Sequence, residues 1–281
     1  MQTKIINVKH PLLKDFIQSF IFFKTGHQEE IGYTTFPNTN LCLAIYKQNK
    51  IDYIQDTFQN KCEISLGKQY FQSCLYGFHE QPFGVKIKSA LEQICILFQP
   101  GALRAFSNEP FEVLLGNTEA FDRIFPNNRG FLERLFNDDE PLKKCMLLEE
   151  FLVSKIIKDE LGSRINEAIF TINSSSQENL KVDDIASKLS INSSTLYRLF
   201  YTELGQSPKA FLQTVRFRKA LNGLLLHKQK DLTTIAYHSE YYDQAHFIKN
   251  IRDLTGTTPG KLRKSIAVEQ GQLAWVCSAA R

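Results

Sequence analysis

Residues 182–203 read Val-Asp-Asp-Ile-Ala-Ser-Lys-Leu-Ser-Ile-Asn-Ser-Ser-Thr-Leu-Tyr-Arg-Leu-Phe-Tyr-Thr-Glu. Within this stretch Ser193, Ser194, Tyr197, Arg198 and Tyr201 fall where one helix would carry three kinds of hydrogen-bonding group on its outer side. These residues are suited to recognition rather than bond breaking. A guanidinium matches guanine O6 and N7 or a phosphate, and hydroxyls bond base edges or phosphates. A second polar set, Asp243, Gln244, His246 and Lys249, recurs further along. Other chemistries find less support. A divalent metal needs several convergent ligands, whereas His10, His27 and His79 are not closely paired, and the adjacent His79 and Glu80 would point to opposite faces of a strand. Cys42, Cys62, Cys74, Cys95, Cys145 and Cys277 form neither a Cys-x-x-Cys pair nor a zinc spacing, which predicts free thiols. No histidine follows a Cys or Ser nucleophile in a recognisable motif, so no catalytic residue, cofactor or metal is expected.

The elements that must hold the polar sets are short helices. Val182, Ile185, Ala186 and Leu189 make one apolar face, and Ala186 is small enough to let a second helix cross closely. Ser190-Ile191-Asn192 makes a tight turn, with Asn192 suited to accept from the free amides of the next helix, whose Leu196, Leu199 and Phe200 face inward. Two such helices match a helix-turn-helix, in which the second helix enters the major groove. The pattern occurs twice. Leu232–Tyr237 supplies a second scaffold helix and Tyr242–Arg252 a second recognition helix, with Phe247, Ile248 and Ile251 inward. Between the units Pro208 opens a long helix through Leu226 carrying Arg216, Arg218 and Lys219. A rigid connector of this kind would set the readers on successive major grooves, roughly 34 Å apart.

A length of 281 residues predicts two domains, and 43% hydrophobic with 23% charged residues excludes wholesale disorder, a collagen-like chain and a coiled-coil rod. No apolar run reaches the roughly 18–20 residues of a membrane span, and Lys4, Lys9 and Lys14 interrupt any signal-peptide core, so a cytoplasmic protein with no membrane partner is expected. Residues 161–264 carry 15 Lys and Arg against nine Asp and Glu, while residues 1–160 carry 18 against 20, which places the excess positive charge around the paired helices. The first hundred residues read as β-structure: Val85 and Ile87 alternate with Lys86 and Lys88, and Leu41–Tyr46 and Ile94–Phe98 are apolar runs of strands covered on both faces. Phe16, Phe20, Phe22 and Phe23 are expected in the core and His79 in a surface loop. Leu142, Cys145, Met146, Leu152, Val153, Ile156 and Ile157 predict a helix over about 140–158, packed either on its own domain or across a dimer seam. Ile165, Ala168, Ile169 and Ile172 mark another, followed by a loop at 173–177.

Residues 163–264 resemble the tandem helix-turn-helix module of the AraC/XylS family of bacterial transcription regulators. The resemblance rests on Leu196, Arg198, Phe200, Glu203-Leu204-Gly205, Ser207-Pro208 and Arg216, then on Ile235-Ala236, Tyr242-Asp243-Gln244, His246-Phe247, Gly256 and Thr258-Pro259. Two positions depart from it. Glu240-Tyr241 stands where the family has Gly-Phe, which predicts a shifted or strained turn, and Ile251 replaces an aromatic residue. His10-Pro11-Leu12, Phe36-Pro37 and Phe98-Gln99-Pro100-Gly101-Ala102 resemble a roughly cupin-like domain found ahead of such modules. The resemblance implies an α+β chain: a β-sandwich or cupin-like sensor or dimerisation domain with trailing helices at 1–160, then an all-α tandem helix-turn-helix domain at 161–265. The tail at 266–281 is left over, read as a final helix or a frayed end. It also implies the partners: double-stranded DNA, RNA polymerase, a small-molecule effector and a second copy of the chain. A rival reading is a DNA-repair alkyltransferase bearing the same module, in which Cys62 or Cys74 would accept an alkyl group.

Overall fold

The computed structural model describes residues 2–26, 31–55, 60–128, 130–158, 162–174, 180–226, 231–265, 267–269 and 273–279. The N-terminal strands are β1 (Gln2–Asn7), β2 (Ile17–Thr25), β3 (Ile31–Thr35), β4 (Leu41–Gln55), β5 (Asn60–Tyr76), β6 (Phe83–Ile87) and β7 (Leu91–Phe98). They lie in one mixed sheet in the order β1-β2-β7-β4-β5-β6-β3, curled into a half-barrel. All the pairings are antiparallel except β5 with β6. The long β4–β5 pair shifts register between Lys47 and Asn49, where Gln48 takes φ 56°. Opposite this bulge a Cβ on Gly67 would lie 2.7 Å from the Asn49 carbonyl carbon, so the close approach requires glycine.

The period of two divides the strand residues between two cores. Phe20 and Phe22, Leu43 and Ile45, and Ile94 and Ile96 point to one face, against the helices that follow the sheet. Ile21 and Phe23, Ala44 and Tyr46, and Cys95 point to the other, which is the inner face. This double coverage explains the continuous apolar runs at Leu41–Tyr46 and Ile94–Phe98. Of the four N-terminal phenylalanines, Phe16, Phe20 and Phe22 are buried and Phe23 lies half-buried on the inner face.

After the sheet come α1 (Phe111–Leu114), α2 (Ala120–Ile124), α3 (Phe131–Asn137) and α4 (Pro141–Ser154). The sequence extends α4 to about 158. The helix stops at Ser154 because the amides of Ile157 and Lys158 turn away to the Ala105 carbonyl, at 2.8 and 3.3 Å. Cys145, Leu148 and Leu152 bury against the chain's own sheet domain, whereas Leu142 and Met146 are exposed. The C-terminal part is helical: α5 (Ser163–Ser174), α6 (Val182–Lys188), α7 (Ser193–Leu204), α8 (Pro208–Leu226), α9 (Leu232–His238), α10 (Gln244–Thr255) and α11 (Pro259–Ser265).

One sequence expectation is corrected. The tail is neither helix nor frayed end, since β8 (Ala267–Glu269) and β9 (Leu273–Ala279) extend the N-terminal sheet, β9 lying antiparallel to β3 with Thr35 opposite Trp275. His79 lies in a loop, as expected, and is half-buried there because its ring also lines a cavity of the sheet domain. His27, the end of the 173–177 loop and the side chain of Cys277 fall outside the described residues. Cys42, Cys62, Cys74, Cys95 and Cys145 are free thiols.

Candidate nucleic-acid interface

Two helix pairs are built to one plan. In the first, α6 and α7 enclose Ile185, Ala186, Leu196, Phe200 and Leu204, together with Ile165 of α5 and Phe211 of α8. In the second, α9 and α10 enclose Ile235, Ala236, Phe247 and Ile251 with Phe217, Leu221 and Leu224 of α8. The connector helix therefore contributes core to both units, which fixes their relative position.

Each recognition helix starts on a side-chain cap. Asn192 Oδ1 accepts from the Thr195 amide at 2.7 Å, and Asp243 Oδ1 accepts from the His246 amide at 2.7 Å. Each is also tied to its scaffold helix, Ser193 Oγ donating to Asp183 Oδ1 at 2.6 Å and Thr233 Oγ1 donating to Gln244 Oε1 at 2.8 Å. Asp243 and Ser193 are thus engaged in positioning the helices. The remaining candidates are outward. Ser194, Tyr197, Arg198 and Tyr201 are exposed and recur at i, i+3, i+4 and i+7 of α7, making one continuous stripe. On α10, Gln244, His246 and Lys249 are exposed, and the His246 ring meets Tyr241 edge-on with centroids 5.4 Å apart. Ala245 and Arg252, which the sequence pattern does not single out, are also exposed on α10. Their i, i+4, i+7 spacing with Lys249 was the signal available, and the small Ala245 would let a groove wall come close to the backbone.

The connector arginines are inward. The Arg216 guanidinium lies 6.0 Å from the centroid of the buried Tyr241 ring, and Arg218 is buried, its pKa lowered to about 10 by desolvation.

The two turns share a strained residue. Ser190 has φ 54° and Glu240 φ 63°. The amides that follow are bonded alike, Ile191 to the Ala186 carbonyl and Tyr241 to the Ala236 carbonyl, both at 3.0 Å. The second turn is therefore strained but not shifted, and the Glu240 carboxylate is paired with Lys219 Nζ at 2.6 Å. Ser190→Gly is expected to stabilise the chain by about 0.5–1 kcal/mol. Glu240→Gly relieves the same strain but loses a part-buried ion pair worth up to about 1 kcal/mol, so its gain should be smaller. Denaturant melts decide the matter, and a larger gain for Glu240→Gly would show that the ion pair contributes nothing.

The first unit is joined to the sheet domain. Arg104, 9% exposed, donates Nε to the Thr202 carbonyl in the last turn of α7 at 3.0 Å, and Nη1 to the carbonyls of Ser107 at 3.2 Å and Glu109 at 2.5 Å. Its guanidinium lies 4.4 Å from the Phe111 ring centroid. Phe111 in turn packs on Gly205, where φ is 71° and a Cβ would meet the ring at 2.8 Å. No local pattern marked these residues, because their contacts cross about 100 residues of chain.

The rival reading requires a reactive thiol. Burial pushes Cys62 up to about 12 and Cys74 up to about 11, so neither is a thiolate at neutral pH.

Residues 185–265 match a family model described as a helix-turn-helix domain, and residues 10–119 match a domain of unknown function (DUF6597). Over 92 residues the chain is 35% identical to the lactose operon transcription activator of Staphylococcus xylosus, covering 33% of each chain. Over 122 residues it is 29% identical to the Msm operon regulatory protein of Streptococcus mutans, covering 43% of this chain and 44% of that one. The chain thus spans less than half the length of these curated relatives. Among solved structures, ToxT from Vibrio cholerae is 11% identical, covers 87% of this chain and 97% of its own, and has a TM-score of 0.46. No helix of the described residues is long and apolar enough to cross a membrane.

Proposed function

From a C-terminal domain that is an AraC-type tandem helix-turn-helix module, we infer that the chain is a sequence-specific transcription regulator acting on double-stranded DNA. The observation that carries this reading is the exposed stripe Ser194, Tyr197, Arg198 and Tyr201 on α7, repeated in kind by Gln244, His246 and Lys249 on α10 and held by a shared connector. Direct readers of bases are Arg198, suited to guanine, and Gln244, which meets a base as a donor because its carbonyl end is engaged by Thr233. Tyr197, Tyr201, Ser194, His246 and Lys249 supply phosphate and groove contacts, while Ser193 and Asp243 fix the angle at which each helix enters. We place the reader at 161–265 and the sensor at 1–160, with β8 and β9 fastening the end of the chain to the sensor sheet. The chain performs no catalysis. An effector or a second copy engaging the sensor biases how the readers are presented to DNA and to RNA polymerase, and the relatives' names favour activation.

The test is binding of the full chain to a selected duplex and to random DNA at two salt concentrations. Affinity should fall steeply as salt rises, since each neutralised phosphate releases counterions, and the selected duplex should win at both. A chain that ignores DNA at low salt would remove the reading.

A further inference from the structure

We propose that the cavity on the inner face of the sheet binds an uncharged, largely apolar, ring-bearing small molecule with a hydroxyl or amide group, and that Phe36 and Phe78 transmit its presence to the two readers. The transmission rests on the regulator reading; the binding stands on the cavity alone.

The cavity has a volume of about 480 Å³, within the range of small-molecule sites. Its walls are apolar side chains such as Ile21, Phe23, Phe83, Val85 and Leu97. Apart from Lys61, the polar groups among them are neutral. Tyr46 and Tyr76 share a hydrogen bond at 2.6 Å between their hydroxyls. Burial holds both phenols well above the usual tyrosine range, so neither ionises near neutral pH. Desolvation lowers the His79 pKa from its usual value, which favours the neutral ring, and its Nδ1 lies against the Gln81 carbonyl at 2.5 Å. The amides of Asn40 and Gln93 also face the space and are buried. Among the described lining residues Lys61 alone carries a formal charge, and no carboxylate is present. Such a wall rewards apolar area and one or two hydrogen bonds; a cation would meet Lys61 and no carboxylate, and an anion could pair only with Lys61, which is half-exposed and keeps its charge toward water.

Two lining rings also belong to the readers. Phe36 is buried in the second unit's core with Phe217, Leu221 and Ile251. Phe78 packs against the first unit's core of Leu196, Phe200 and Leu204. A molecule that fills the cavity presses on both rings, and a ligand shifts an equilibrium through such differential contacts.

The test uses the full chain and 1-naphthol, with 1-naphthoate and 1-naphthylmethylamine as charged partners of the same skeleton. Calorimetry should show naphthol binding at roughly 100 µM or tighter, and both ions weaker by about tenfold or more. Val85→Trp fills the space and should abolish binding. Tyr46→Phe keeps the shape and should weaken binding several-fold, which guards against a misfolded tryptophan variant. Transmission is read first without DNA. Naphthol should slow amide hydrogen exchange in α7 and α10, and Phe36→Leu with Phe78→Leu should remove that effect when each protein is compared at naphthol concentrations that saturate it. It is then read as a change in affinity for the selected duplex. Absence of naphthol binding, or equal binding of the naphthoate, overturns the site. Binding with no change in either helix overturns the transmission. Binding with altered exchange but no affinity for any DNA leaves the site standing and removes the regulator reading instead.

Discussion

Arg104→Ala is expected to lower the unfolding free energy by about 3 kcal/mol, because a buried guanidinium with three carbonyl acceptors is replaced by a methyl group that satisfies none of them. The Thr202 carbonyl lies in the last turn of α7, where helix carbonyls lack intrahelical partners and a cation is favoured by the dipole. Burial pulls the Arg104 pKa down, and the nearby Glu203 and Glu112 act in the opposite direction. Arg104→Lys should recover little, since one ammonium does not reproduce a planar fork reaching both Thr202 on one side and Ser107 with Glu109 on the other. Gly205→Ala disturbs the same seam from the opposite side, by forcing a Cβ onto the Phe111 ring at a positive φ. Thermal and denaturant melts of the full chain check all three variants. An Arg104→Ala protein within about 0.5 kcal/mol of the parent would mean that water takes over the carbonyls and that the seam holds little energy.

What was legible in the sequence is what local chemistry determines. The pairs α6–α7 and α9–α10 follow from apolar periodicity and from caps lying within a few residues of the helices they start, such as Asn192 and Pro208. The strands around Leu43 and Ile96 showed because coverage on both faces leaves a continuous apolar run. The 17-residue β5 did not show, since its exposed middle at Lys68, Gln69 and Tyr70 breaks any period of two. Its parallel pairing with β6 is a matter of topology that no local pattern encodes. The same holds for β9, whose partner β3 lies more than 230 residues earlier, and for Phe36, which reads as one more core phenylalanine and is in fact a shared wall between cavity and reader. At Glu240 the sequence identified the strained turn but not its compensation, because Lys219 is brought to it only by the packing of α8 against α9 and α10.

Arg198→Ala is expected to weaken binding to the selected duplex by about 1–3 kcal/mol, or roughly 5- to 150-fold, with much less effect on random DNA. The side chain is exposed in the middle of α7, between Tyr197 and the next turn's Tyr201, where a groove-bound helix faces the base edges. Lys249→Ala on α10 is the contrasting variant: a point charge that meets phosphate should cost both duplexes about equally and reduce the salt dependence by about one counterion. Neither change touches the buried core, so melting should stay within about 0.5 kcal/mol of the parent. Binding isotherms on both duplexes at two salt concentrations separate the cases. Equal loss on selected and random DNA would assign Arg198 to a phosphate, with base reading left to Gln244 and its neighbours. Unchanged affinity with a lowered melting temperature would make it a structural arginine, and the first reader's specificity would then have to come from Ser194 and the two exposed tyrosines.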